Sequence, residues 1–234
     1  MSWREVWERK GQVENDFRLP LDDLVAMDGF DKGVGRFSVA NWCAYTARIL
    51  TSFGIISGDS VCEIGCGAGV MLCVSHEQGI QVTGLDHSNS LIAAPHRAIP
   101  GMDFYDAEAT QVPCADNRFD TVFSHSASQY FPNLDYAEQC LSEMYRIAEL
   151  EGGGIAVLDI PDATKRDAGE AFRRSAMPIA EYERLCADYP HLYYGKEWSR
   201  IIPHRFSWSI EVFGQDLPGY GNAAYQFNVR ITKT

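Results

Sequence analysis

The chain has 234 residues, 46% of them apolar and 22% charged, the composition of a globular domain with a sizeable core, which excludes a disordered chain. A formal net charge of −12 without a basic stripe argues against a nucleic-acid-binding surface, and no apolar run approaches the ~20 residues of a membrane span. Seven cysteines without a C-x-x-C pair read as reduced, mostly buried thiols, and the amino terminus MSWREVWERKGQVEND is unlike a secretory signal, so the expected location is cytoplasmic.

Residues 1–54 are expected to form a helical lid carrying Trp3, Trp7 and Trp42, with the glycine-bearing loop GFDKGVGRF (29–37) as its hinge. Within it, VANWCAYTARILTSF (39–53) has apolar residues at helical spacing and stops at Gly54, so it predicts a helix. A strand (SVCEI), a glycine turn (GCGAG) and a helix (VMLCVSHEQ) follow. QVTGLD (81–86) predicts a second strand, residues 90–97 a helix, MDFYDA a third strand and FDTVFSH a fourth. LDYAEQCLSEMYRIAEL predicts an amphipathic helix with Leu134, Leu141, Met144, Ile147 and Ala148 on its apolar face, and GGGIAVLDI a fifth strand. Strands alternating with helices predict a parallel sheet covered on both faces. Residues 162–200 predict two or three short capping helices, and FSWSIEVFGQDLPGYGNAAYQFNVRITKT an antiparallel pair closing the sheet edge. The expectation is one domain over 1–234: the lid (1–54), a core (55–160), then a cap and hairpin (161–234).

The most informative segment is VCEIGCGAG (61–69). Gly65, Gly67 and Gly69 remove side chains where the first strand turns into a helix, so a ligand can approach the backbone. The nicotinamide-type spacing G-x-G-x-x-G would require glycine at position 70, where Val70 stands. Asp86 ends the second strand, where an acid can accept both hydroxyls of a ribose.

These segments, in this order, resemble the class I S-adenosylmethionine-dependent methyltransferases that act on small molecules. VCEIGCGAG is similar to that family's glycine motif and VTGLDHS to its ribose-binding motif. DAEATQVPCADNRFDTVFSHSASQYFP is similar to its adenine segment and fourth strand, and MYRIAELEGGGIAVLDI to its helix, turn and fifth strand. Glu151 departs from the proline usual in that turn, which the glycines after it preserve. The resemblance covers roughly 55–160 and implies an α/β, Rossmann-like doubly wound, seven-stranded mostly parallel sheet with an antiparallel C-terminal hairpin. It implies S-adenosyl-L-methionine as cofactor and S-adenosyl-L-homocysteine as product. By resemblance Gly65 and Gly67 line the methionine end, and Glu63 fixes the loop and the amino-acid group. Asp86 binds the ribose with His87 and Ser88 close by. Asp106 and the N–H of Ala107 hold adenine, and Ser124 faces the methionine moiety.

Methyl transfer requires a nucleophile aligned behind the activated carbon and, for a hydroxyl acceptor, removal of a proton. His125 and His191 are the candidate bases because histidine titrates near neutrality. Tyr130, Tyr194, Tyr220 and Asn222 are the candidate acceptor-pocket residues, polar-tipped positions that suit a mid-sized polar acceptor. No metal is expected. The expected partner is a small molecule, not nucleic acid or membrane, and the expected assembly is a monomer or homodimer. A cofactor-binding, non-catalytic subunit of a biosynthetic complex is the alternative, which turnover by the isolated chain would separate.

Overall fold

The computed structural model describes residues 3–11, 19–30, 36–149, 151–175, 178–186, 190–201 and 208–233. Its central strands lack polar–apolar alternation because both faces are covered. β1 (Ser60–Ile64), β4 (Thr121–His125) and β5 (Gly154–Pro161) are buried almost throughout, as parallel strands between helical layers must be. With β2 (Gln81–Asp86), β3 (Asp103–Asp106), β6 (Trp208–Gly214) and β7 (Gln226–Lys233) they form one sheet, ordered β3-β2-β1-β4-β5-β7-β6. The first five pair in parallel, and β7 runs against both β5 and β6. The order reverses between β1 and β4, which opens a crevice at their carboxyl ends, the usual ligand position in such sheets.

Helices α2 (Leu21–Met27), α3 (Val39–Phe53), α4 (Val70–Glu77) and α5 (Asn89–Ala98) share a core with Val61, Val82, Phe123 and Leu158 on one face. α6 (Leu134–Ile147) packs on the other face against Val122, Ile155 and Val157. Local chemistry fixes the boundaries. Ser38 caps α3 by accepting the Asn41 N–H, and Gly54 ends it at φ 70°. Asn133 caps α6 by accepting the Tyr136 N–H at 2.9 Å. α7 (Arg166–Ser175), α8 (Ile179–Cys186) and short 3-10 turns at 163–165 and 198–201 form the cap.

Two expectations about packing need correcting. Ala137, Cys140, Leu141, Met144 and Ile147 are the buried face of α6, whereas Leu134 lies in the first turn, at the end of that stripe, and is 43% exposed. Trp42 is no part of a lid. It sits on α3 with 2% exposure, edge-on to Phe30, Phe37 and Tyr45, because α3 packs directly on the sheet. Trp3 and Trp7 do belong to a covering helix, α1 (Trp3–Lys10). Most of the expected hinge, 31–35, lies outside the described residues. Among the described residues six cysteines are free, five of them buried, no helix is long and apolar enough to cross a membrane, and no group of side chains could hold a metal.

Candidate functional site

The turn after β1 can only be made by glycine. Gly65 has φ 74° and Gly67 φ 53°, and both are crowded. A Cβ on Gly65 would lie 2.5 Å from the Cβ of Ala127, and one on Gly67 would lie 2.2 Å from Asp28 Oδ1. The turn is therefore gripped from both sides, by the end of β4 and by the end of α2. Its amides are used in a fixed pattern. Gly65 and Cys66 donate to the Leu85 carbonyl at 2.7 and 3.0 Å, Gly67 donates to Asp86 Oδ2 at 2.9 Å, and Ala68 donates to Asp28 Oδ1 at 2.6 Å. Asp86 also accepts the Ser88 N–H at 2.9 Å. Its carboxylate thus ties the first turn to the second through protein contacts alone.

Three acids surround this turn, with Lys10 near Asp28 and His87 beside Asp86. Glu63 is 4% exposed, and its Oε2 has no partner among the described residues. Burial, with Asp28 and Asp86 close by, pushes its carboxyl well above the usual range. Burial likewise raises Asp28 to about 7, against the Ala68 N–H, and raises Asp86, against His87 and the amides it accepts.

From the turn a cavity of about 1140 Å³ runs under α1 and the cap. This exceeds the ~300–1,000 Å³ usual for one small ligand. Its wall includes Glu63, Gly65, Gly67, Asp86, His87 and Ala107 at the turn end, and His125, Ser126, Tyr130, His191, Tyr220 and Asn222 farther along. Trp3 and Trp7 of α1 cover it by packing on Tyr130, at ring separations of 4.7 and 5.1 Å.

Four sequence candidates do not reach the wall. Tyr194 is fully buried, packs on Trp198 and donates its hydroxyl to the Ser128 carbonyl at 2.7 Å, so it belongs to the α6-side core and not to an acceptor pocket. Ser124 is 2% exposed on a strand whose alternate residue His125 faces the cavity; side chains one apart point to opposite faces, so Ser124 faces away. Ser88 is spent as the cap of α5, accepting the Leu91 N–H and donating to Glu8. Asp106 is exposed at the end of β3, beside Asp86 in register but outside the cavity wall. Ala107 does line the wall, yet its N–H donates to the Asp86 carbonyl at 3.0 Å rather than standing open for a ring.

The two histidines are poorer bases than their residue type suggests. His125 sits among Trp42, Tyr45 and Phe30, and burial lowers it to about 4, with Asp159 opposing only in part. Burial and the adjacent Arg173 guanidinium lower His191 to about 3. Both are neutral near pH 7 and accept a proton weakly. Several wall or near-wall groups carry no motif that marks them in the sequence: Asp28, Ser126, Arg173 and the buried Asp159. For Asp159 the one usable signal is an acid inside the apolar run GIAVLDIP.

Comparison with known proteins agrees with this geometry. Residues 62–158 match the model of a methyltransferase domain. The demethylmenaquinone methyltransferase of Renibacterium salmoninarum is 28% identical over 150 residues, 61% of this chain and 61% of that protein. The malonyl-[acyl-carrier protein] O-methyltransferase of Pectobacterium atrosepticum is 27% identical over 62% of this chain and 58% of its own length, so the chain spans about three fifths of the length of these relatives. In fold, the N-methyltransferase NodS of Bradyrhizobium japonicum, solved with S-adenosyl-L-homocysteine, superposes with a TM-score of 0.63 at 16% identity, covering 100% of this chain and 99% of that one. A glycine turn tied to Asp86, a sheet of this order and a matched domain across its first five strands point the same way: residues 62–158 of the chain are similar to a methyltransferase domain, on the fold seen in S-adenosylmethionine-dependent methyltransferases.

Proposed function

We propose that this protein transfers a methyl group from S-adenosylmethionine to a small-molecule acceptor by direct displacement. The observation that carries the reading is the continuity of the cavity, from the glycine turn and Asp86 at one end to an aromatic compartment at the other. The residues present fit the cofactor. Glu63 offers a buried oxygen without a partner among the described residues, the turn leaves no room for a side chain, and the acids there suit a cation bearing hydroxyls and an ammonium group. When bound, the cofactor supplies an electrophilic methyl already activated by sulfur.

The chain's own residues would then do the rest. Asp86 accepts from the ribose, while Gly65 and Gly67 let the amino-acid end approach the backbone. α1, through Trp3 and Trp7, keeps water from the far compartment. That compartment holds the acceptor against Tyr130, Tyr220 and Asn222. Calorimetry is expected to register S-adenosylhomocysteine binding to the purified chain and none by NAD. NAD binding without any response to S-adenosylhomocysteine would remove the reading. Acceptor-dependent release of S-adenosylhomocysteine by the isolated chain distinguishes an enzyme from a subunit that only binds.

A further inference from the structure

β5 breaks its pairing with β7 between Val157 and Ile160. Inside that irregularity Asp159 is fully buried and adopts φ 62°, a conformation uncommon for a residue with a side chain. The end of β4 does the same at Ser126, with φ 51°. The two are joined, since Ser126 Oγ donates to Asp159 Oδ2. Tyr220 donates its hydroxyl to the same oxygen at 2.8 Å, Gln215 donates to Oδ1 at 3.3 Å, and the Asp159 N–H donates to Asn228 Oδ1 at 2.8 Å. A buried carboxylate is costly unless donors solvate it, and here three side chains do so, one from the end of β4 and two from the β6–β7 connection. Two strained residues bonded to each other at the mouth of a crevice are the kind of backbone feature that clusters at functional sites.

Two of those donors, Ser126 and Tyr220, are cavity wall. Each hydroxyl has committed its proton to Asp159, so what it offers the cavity is oxygen lone pairs. A group that docks there must bring a hydrogen to donate. The surroundings are aromatic: Phe30 lies 6.2 Å from Tyr220 and 5.1 Å from Trp42, ring to ring. Ser126 also precedes Ala127, the residue pressed against Gly65, so this constellation borders the glycine turn on the β4 side.

Resting on the methyl-transfer reading above, we propose that Tyr220, with Ser126 beside it, receives the hydroxyl of a flat, largely apolar acceptor and relays its proton to Asp159. As the acceptor oxygen bonds to the methyl carbon, the carbon–sulfur bond breaks and sulfur keeps the electron pair. The acceptor's proton moves to Tyr220 Oη while the phenol's own proton moves to Asp159 Oδ2. The sulfonium charge and the carboxylate charge disappear together. Tyr220 is the catalytic residue of this step, and Asp159 acts through it.

The test uses 4-nitrophenol, with 4-nitroanisole as a control lacking the proton, titrated into the full chain saturated with S-adenosylhomocysteine. The phenol is expected to bind about tenfold tighter than the ether, with its absorption band moved to longer wavelength by the hydrogen bond it donates. Tyr220→Phe is expected to abolish both the preference and the shift, leaving S-adenosylhomocysteine affinity within about twofold of the parent. Asp159→Asn is expected to lose the shift with the same unchanged affinity. If that variant does not fold, Tyr220→Phe and Ser126→Ala carry the test, the latter weakening the preference. Equal affinity for phenol and ether, binding of neither, or a preference that survives Tyr220→Phe overturns the relay. Failure of the parent to bind S-adenosylhomocysteine is a different result: it removes the methyl-transfer reading, and the phenol preference is then read on the chain alone.

Discussion

At the β1–β2 end of the cavity the backbone does the positioning. Left-handed glycines set the turn, amides bond to Leu85, Asp86 and Asp28, and the residues involved lie close in sequence apart from Asp28. At the β4–β5 end side chains do it. Ser126, Asp159, Gln215, Tyr220 and Asn228 come from four separate segments, Gln215 and Tyr220 sharing the β6–β7 connection, and meet at one buried carboxylate. The first end is a shape that only one residue type can form, while the second is a set of polar partners that many sequences could assemble. A ligand common to a whole family suits the first construction, and a ligand particular to one member suits the second.

The sharpest way to break this contrast is at the turn. Gly65→Ala forces a side chain into the left-handed region and against Ala127. The conformational cost of about 1–2 kcal/mol and an overpacking cost of about 1–3 kcal/mol make a loss of ~2–5 kcal/mol in stability or cofactor affinity the expected outcome. Thermal melting with and without S-adenosylhomocysteine measures it, and an unchanged midpoint would mean the turn yields freely.

Asp86→Ala is expected to weaken S-adenosylhomocysteine binding by ~2–4 kcal/mol by calorimetry, from hydrogen bonds of about 1.5–3 kcal/mol each that add incompletely. Because Asp86 also holds Gly67 and Ser88, the variant is expected to melt earlier even without ligand. A normal unliganded midpoint would show that the turn stands without its carboxylate.

Asp28 gives the turn end a pH signature. Its carboxyl rises from 3.8 to about 7 in the folded chain, so the folded state retains a proton that the unfolded state has lost between those values. The stability from this group is full below about pH 4 and lost as pH rises through about 7. Asp28→Asn is expected to be more stable than the parent at pH 8 by about 1–2 kcal/mol, after allowing for solvent screening, with the gap narrowing steadily toward pH 4. Urea titrations at pH 8 and pH 5 read the gap directly, and a gap of the same size at both would discard the assignment.

The smallest effect is expected at Tyr194, which chain position alone would assign to the acceptor end. Tyr194→Phe removes one buried hydrogen bond to Ser128 and is expected to cost about 1 kcal/mol of stability, leaving ligand affinities unchanged. A selective loss of acceptor binding in this variant would return Tyr194 to the cavity.

The same contrast separates what is legible in the sequence from what is not. The limits of α3 and the five parallel strands are legible because apolar runs, the cap at Ser38 and the stop at Gly54 are local signals. Gly65, Gly67 and Asp86 are legible because their spacing is fixed by a single strand–turn–helix–strand unit. Ser124 and Tyr194 mislead because facing is decided by strand alternation and by what packs above, which position in the chain does not carry. Leu134 shares its helix's apolar stripe, yet its place in the first turn leaves it exposed. Asp28 and Asp159 stay hidden because their partners are remote: Ala68 for one, Tyr220 and Gln215 for the other.

The strand order also dictates a sequence of events in folding. β6 precedes β7 along the chain, yet its pairing is to β7, and β7 is what pairs with β5. β6 therefore cannot join the sheet until β7 has slotted between them, a pairing distant in sequence that must overcome loop-closure entropy before it gains anything. The five parallel strands, with the glycine turn among them, can associate earlier through shorter connections. Asn228, which takes the Asp159 N–H, arrives only with β7. The general half of the cavity needs no contact from β7, whereas the particular half is whole only once β7 is paired.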